Sequence, residues 1–138
     1  MHLTNSDAKI YVAGHRGMVG AAIWGELEAA GYQNLVGRSS AELDLRDPQA
    51  TQAFFEAEEP DFVVLAAARV GGILANDRYP ADFIGDNLAI EQSVIRAAHE
   101  TSVERLIFLG STCIYPKRAD QPMPEESLLM GPLEPTNQ

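Results

Sequence analysis

Three glycines spaced by three, in Gly14-His15-Arg16-Gly17-Met18-Val19-Gly20, suit a turn that closes backbone N–H groups around a pyrophosphate. Between a strand and a helix, such glycines permit a tight bend and close backbone approach, while the helix N-terminus adds unpaired N–H groups and its dipole. Arg16, Met18 and Val19 lie inside the run and share that contact. Roughly 20 residues on, a site selective for NAD carries an acidic residue for the ribose 2′-hydroxyl. Gly37-Arg38 stands there instead. The planar guanidinium of Arg38, with Arg16 nearby, suits a 2′-phosphate and points to NADP(H) over NAD(H). Each arginine taken alone also fits an ordinary solvated surface residue.

Asp44-Leu45 falls where the next connection would reach an adenine ring, and it fits a plain turn before Asp47 equally well. Ala66-Ala67-Ala68 offers small side chains where a dinucleotide lies against backbone, although core packing would use alanines too. Ser111 and Cys113, in Ser111-Thr112-Cys113-Ile114-Tyr115-Pro116, place a hydroxyl and a thiol two residues apart at the carboxyl edge of a sheet, where open α/β folds bind ligands. They suit hydrogen bonding to a carbonyl and proton exchange, and Cys113 also suits plain packing. His2, His15 and His99 make no metal-ligand spacing with Cys113, so no metal is expected.

Strand-like and helix-like segments alternate around these residues, which predicts an α/β, Rossmann-type doubly wound parallel sheet. Strands are expected at Lys9 to Gly14, about Asn34 to Gly37, Phe62 to Ala68 and Leu106 to Leu109, in the spatial order 3-2-1-4. The third is apolar throughout, as a strand buried on both faces should be. Val19, Ala22, Ile23, Leu27 and Ala30 recur at helical spacing from Met18 to Ala30, with Gly31 as the stop. Asp47-Pro48 is an N-cap followed by a proline at the first helical position, and that helix halts before Pro60. A long helix runs from Tyr79 to Ser102, with Ile84, Leu88, Val94, Ile95 and Ala98 along one side and Pro80 in its first turn. Residues 1–116 thus form a partial dinucleotide-binding domain. Residues 117–138 form a loop-rich segment, since five of the eight prolines lie from Pro116 onward without an apolar period.

The 138 residues, 46% hydrophobic and 22% charged, suffice for one domain with a core. Ten basic against twenty acidic residues give a net charge of −10, which disfavours a nucleic acid partner. One cysteine precludes an internal disulfide, and no apolar run reaches the length of a membrane span. The expectation is a soluble cytoplasmic protein with no membrane partner.

The strings Ala13-Gly14-His15-Arg16-Gly17-Met18-Val19-Gly20, Ala66-Ala67-Ala68-Arg69-Val70-Gly71-Gly72-Ile73, Tyr79-Pro80-Ala81-Asp82-Phe83-Ile84 and Ser111-Thr112-Cys113-Ile114-Tyr115-Pro116-Lys117 closely resemble the GDP-L-fucose synthases. These are extended short-chain dehydrogenase/reductases that convert GDP-4-keto-6-deoxy-mannose with NADPH, combining a 3,5-epimerase with a 4-reductase. The likeness extends to Leu133-Glu134-Pro135-Thr136-Asn137. It implies that Gly14, Gly17, Gly20 and Arg16 cradle the pyrophosphate and 2′-phosphate, that Arg38 adds to the latter, and that Asp44 and Leu45 lie at the adenine. It implies further that Ala67 lines the cofactor channel, that Asn87 approaches the nicotinamide half, that Ser111 hydrogen-bonds the C4 carbonyl, and that Cys113 exchanges protons during epimerisation. In that family a Tyr-x-x-x-Lys pair follows the Glu-Pro-Thr-Asn stretch, whereas this chain stops at Gln138. Its partner histidine and sugar domain would lie further on, so the 138 residues are not expected to turn over alone. The resemblance also implies a homodimer through the long helix from Tyr79. The alternative is a non-catalytic NADP(H)-binding module, a truncated remnant acting through a partner chain.

Overall fold

The computed structural model describes residues 6–137; His2 and Gln138, which entered the metal and chain-end expectations, lie outside them. Four parallel strands form one sheet: β1 (Ile10–Ala13), β2 (Leu35–Val36), β3 (Phe62–Leu65) and β4 (Arg105–Phe108). Their order is β2-β1-β3-β4, which corrects the expected 3-2-1-4. Phe62-Val63-Val64-Leu65 is apolar on both faces and must be covered on both, so β3 pairs with β1 inside the sheet instead of lying outside the two-residue β2. Leu43 and Leu45 bury their side chains, but their segment is not a strand.

Alternation along the strands divides the core. Tyr11, Ala13, Val63 and Leu65 face α2 (Pro48–Glu58) and α4 (Pro80–Glu100), packing on Phe55, Val94, Ala97 and Ala98. Ile10, Val12 and Val64 face α1 (Met18–Ala29), meeting Ile23, Trp24 and Leu27. Burial drives the Tyr11 phenol upward in pKa, opposed by nearby Arg38, so it stays neutral at any ordinary pH.

The helices start where the sequence directs. Asp47 caps α2, its Oδ1 accepting from the Gln49 and Ala50 N–H groups at 2.9 and 3.0 Å with Pro48 next in line. Glu59, at φ 46°, ends α2 before Pro60. Asp47→Ala is expected to cost about 1 kcal/mol, seen as a lower denaturant midpoint at unchanged slope.

Other expectations need correction. The apolar run after Val64 leaves the ladder at Leu65, so Ala66 to Ala68 belong to a loop. A separate helix, α3 (Ile73–Arg78), precedes the long one, and Tyr79 joins the two. On α4 the buried side chains are Ser93, Val94, Ala97 and Ala98, whereas Ile84, Leu88 and Ile95 remain exposed. Helical spacing is satisfied by either stripe, and the sheet covers only the C-terminal half of one of them. Val19 and Ala22 on α1, and Ala30 just past its end, are likewise exposed, because the α1 side chains packed on the sheet are Ile23, Trp24 and Leu27. Beyond β4 the chain is loop with three short 3-10 turns, at Thr112–Ile114, Glu125–Ser127 and Pro135–Asn137. Among the described residues, no helix is long and apolar enough to cross a membrane.

Candidate functional site

Parallel strands put all their carboxyl ends on one edge, and the loops leaving β1, β2 and β3 there enclose a cleft of about 970 Å³. The floor is the glycine turn. Gly14 has φ +82°, and a Cβ on it would sit 2.8 Å from the Ala66 carbonyl oxygen and the Ala67 nitrogen. A Cβ on Gly20 would sit 2.1 Å from the Gly14 carbonyl oxygen. The turn, the start of α1 and the end of β3 therefore touch backbone to backbone. The first turn of α1 contains no acidic residue, and the N-cap, Gly17, has no side chain to cap it. Among the described residues, the N–H groups of Met18, Val19 and Gly20 have no backbone acceptor. A dinucleotide's pyrophosphate meets those needs: three donors, a positive helix end and room left by missing side chains.

The walls are cationic. Arg16, Arg38, Arg46 and Arg69 line the cleft, four of the ten basic residues in a chain of net charge −10. Arg38, Arg46 and Arg69 already face carboxylates, those of Glu58, of Asp44 and Asp86, and of Asp82 and Asp86, so Arg16 is the one of the four left to meet an anionic occupant unaided. Arg38 emerges after β2 with its guanidinium held by Glu58 at 2.5 Å and placed over the Phe54 ring, 5.4 Å from the centroid. Arg16 forms no ion pair among the described residues and is exposed. Ser39 and Ser40 follow Arg38 along the same wall. His15 packs its ring against Gly37 and lies 5.4 Å from the Trp24 ring, its Nδ1 buried without a hydrogen-bond partner.

Most of the expected binding residues meet in this cleft: Gly14, Arg16, Gly17, Met18, Val19, Gly20, Arg38, Asp44, Leu45 and Ala67 all line it. Asn87, Ser111 and Cys113 do not. Asn87 instead clamps the loop after β3, its Oδ1 accepting from the Arg69 N–H at 2.7 Å and its Nδ2 donating to the Arg69 carbonyl at 3.0 Å. These bonds hold the loop that forms one wall of the cleft. Ser111 follows β4 on the same sheet edge, where its Oγ accepts the Cys113 N–H at 3.1 Å and keeps its own proton to donate. Cys113 is a free, exposed thiol. Among the described residues, no group of three His, Cys, Asp or Glu is arranged to hold a metal.

Sequence reading missed the ties between the walls. Asp86 on α4 receives Arg69 at 2.8 Å and Arg46 at 3.3 Å, bridging the loop after β3 to the loop after β2. Asp44 accepts Arg46 at 2.8 Å. Hydrogen bonds from Arg46 hold the Asp44 carboxyl down at about 2. A depressed carboxylate supports the fold fully above its ordinary range and loses that support as the pH falls toward the folded value. Between about pH 4 and 2, Asp44→Asn should therefore lose less stability than the wild type, measured by denaturant titration at each pH.

The NAD dependent epimerase/dehydratase family matches residues 10–138. A putative GDP-L-fucose synthase 2 from Arabidopsis thaliana is 56% identical over 99% of the chain, and the Escherichia coli GDP-L-fucose synthase is 56% identical over 96%. The chain spans 42% and 41% of their lengths. Among solved structures, a GDP-mannoheptose C4 reductase from Campylobacter jejuni with NADP bound superposes with a TM-score of 0.90 at 40% identity, covering 97% of the chain and 42% of that protein.

Proposed function

The chain belongs to the NAD dependent epimerase/dehydratase family, and from that premise we propose that it forms the NADP(H)-binding portion of a nucleotide-sugar epimerase/reductase of the GDP-L-fucose synthase type. One observation carries the reading. The turn between β1 and α1 is packed so closely that no side chain fits at Gly14 or Gly20, its helix N–H groups are unpaired, and four arginines surround it. A pyrophosphate on the helix N-terminus and a 2′-phosphate at Arg16 and Arg38 account for the packed glycines, the unpaired N–H groups and those two arginines, while Arg46 and Arg69 answer Asp44, Asp82 and Asp86.

The bound coenzyme would supply hydride. The chain's own residues would hold its phosphates through Gly14, Gly17, Gly20, Met18 and Val19, and its adenine beside Asp44 and Leu45. Ala67 would leave room along the channel. Ser111 would hydrogen-bond the C4 ketone oxygen of GDP-4-keto-6-deoxy-mannose through its hydroxyl, and Cys113 would serve proton exchange beside it. Asn87 would act through the loop it clamps, holding Arg69 and its neighbours in place.

Exposed apolar surface supports the view that a longer polypeptide completes this unit. On β4 and just past it, Ile107, Phe108 and Leu109 are each more than a third exposed. An apolar cavity of about 200 Å³ opens beside Ile23, Leu27, Phe62 and Ile107 on the α1 side of the sheet. The exposed stripe of Ile84, Leu88 and Ile95 on α4 suits pairing with a second copy.

Titration of the chain with NADPH tests the proposal, read through energy transfer from Trp24, the one tryptophan, which lies beside His15 at the cleft. Saturable binding with NADPH preferred over NADH by about tenfold or more is expected. Absence of saturable binding would remove the proposal.

A further inference from the structure

The wall that carries Arg38 already holds an anion of its own. Ser39 donates twice to one oxygen of Glu42: its backbone N–H reaches Oε2 at 2.7 Å and its hydroxyl reaches the same atom at 2.6 Å. Arg16 and Arg38, one from the glycine turn and one beside Ser39, both attract that carboxylate. Two donors converging on one oxygen, at Ser39 of a cleft that Arg16 and Arg38 also line, make an arrangement that suits a phosphate monoester on a ribose. Glu42 is exposed and attached by a flexible side chain, so it can leave without disturbing the core.

We propose that Glu42 is an internal stand-in for the 2′-phosphate, seated on Ser39 in the cleft that Arg16 and Arg38 line, and that NADP(H) must displace its carboxylate to bind. Glu42 then limits discrimination between the two coenzymes. NADH has only a hydroxyl at that ribose position, so it neither competes for the seat nor meets the carboxylate's repulsion. The inference rests on the NADP(H) reading above and adds a residue that works against that coenzyme.

The carboxylate's hold on Ser39 has a second consequence that must be separated from the first. Ser39 and Glu42 stand in the Ser-x-x-Glu relation of a capping box, and the N–H groups of Glu42 and Leu43 both reach the Ser39 carbonyl, closing a single turn. Glutamine serves a capping box as well as glutamate does. Glu42→Gln therefore keeps the turn and removes the charge, while Glu42→Ala removes both.

Dissociation constants for NADPH and NADH are measured side by side on the wild type and the two variants. The expected result is NADPH binding tighter by roughly three- to tenfold in Glu42→Gln, from loss of a like charge at the phosphate, with NADH within about twofold of wild type. Glu42→Ala should raise the same NADPH-to-NADH preference even if the loosened turn weakens both coenzymes. A preference unchanged or lowered in Glu42→Gln, with wild type still binding NADPH, overturns the role of Glu42 and leaves the NADP(H) reading standing. Failure of the wild type to bind NADPH at all overturns that reading and this inference with it.

Discussion

Gly20→Ala is expected to abolish saturable NADPH binding and lower the thermal midpoint by about 10 °C or more, while Gly25→Ala, five residues along the same helix, leaves binding intact and stabilises. The two substitutions add the same methyl group. At Gly20 the new Cβ would lie 2.1 Å from the Gly14 carbonyl oxygen, 2.7 Å from its carbon and 3.0 Å from the His15 Cα, all of them backbone. No side chain can swing aside. Gly14 cannot retreat either, because its own position at φ +82° is fixed against the Ala66 carbonyl and the Ala67 nitrogen of the loop that leaves β3. The clash must be relieved by lifting α1 from the sheet, which opens the contacts of Ile23, Trp24 and Leu27 with Ile10 and Val12. Overpacking of this kind typically costs about 1–3 kcal/mol, and more where only backbone can move. A chain of this size loses roughly 4 °C per kcal/mol. At Gly25 nothing lies within 4 Å of a built Cβ, and alanine in an exposed helix interior gains about 0.5–1 kcal/mol over glycine. Thermal melts and NADPH titrations of both variants check the pair. A Gly20→Ala protein that binds NADPH normally would mean that the turn does not hold the pyrophosphate.

What could be foreseen about the site depended on how local its signal was. The glycine turn, Arg38 and the Asp47 cap are specified by residues within one turn of chain, and each lies where its neighbours place it. The order of the strands depends on which one needs two covered faces, a property that Phe62 to Leu65 express in composition but not in sequence position. The two apolar stripes of α4 could not be ranked in advance, because the sheet that selects Val94, Ala97 and Ala98 is assembled from four distant segments. The bridge from Arg46 through Asp86 to Arg69 spans forty residues on one side and seventeen on the other. No spacing rule covers such separations. Asn87 shows the same limit differently: its place on the long helix is legible, whereas its bonds to the Arg69 backbone join positions eighteen residues apart.

The arginines should separate when each is removed. Arg16→Ala is expected to weaken NADPH by roughly 10- to 100-fold, the worth of about 1.5–3 kcal/mol for hydrogen bonds between charged groups, and NADH by less than about threefold. Arg16 is exposed and unpaired among the described residues, so its loss should leave the melting temperature nearly unchanged. Arg38→Ala should produce a similar NADPH defect and also a loss of stability. Its guanidinium covers the Phe54 ring at 5.4 Å and is the close partner of Glu58, whose other cation, Lys9, stands at 3.7 Å. Without Arg38 the Glu58 carboxylate, about a quarter exposed, keeps only the weaker pair. Arg38→Lys should recover part of the stability and little of the coenzyme preference, since an ammonium supplies charge without the planar fork that spans two phosphate oxygens. Because both phosphate contacts are electrostatic, the NADPH preference should shrink as salt rises, and the slope should be flatter in either alanine variant. Equal losses of NADPH and NADH on removing Arg16 would move the 2′-phosphate away from the glycine turn. The same result for Arg38 would leave its pairing with Glu58 and its cover of Phe54 as the whole of its role.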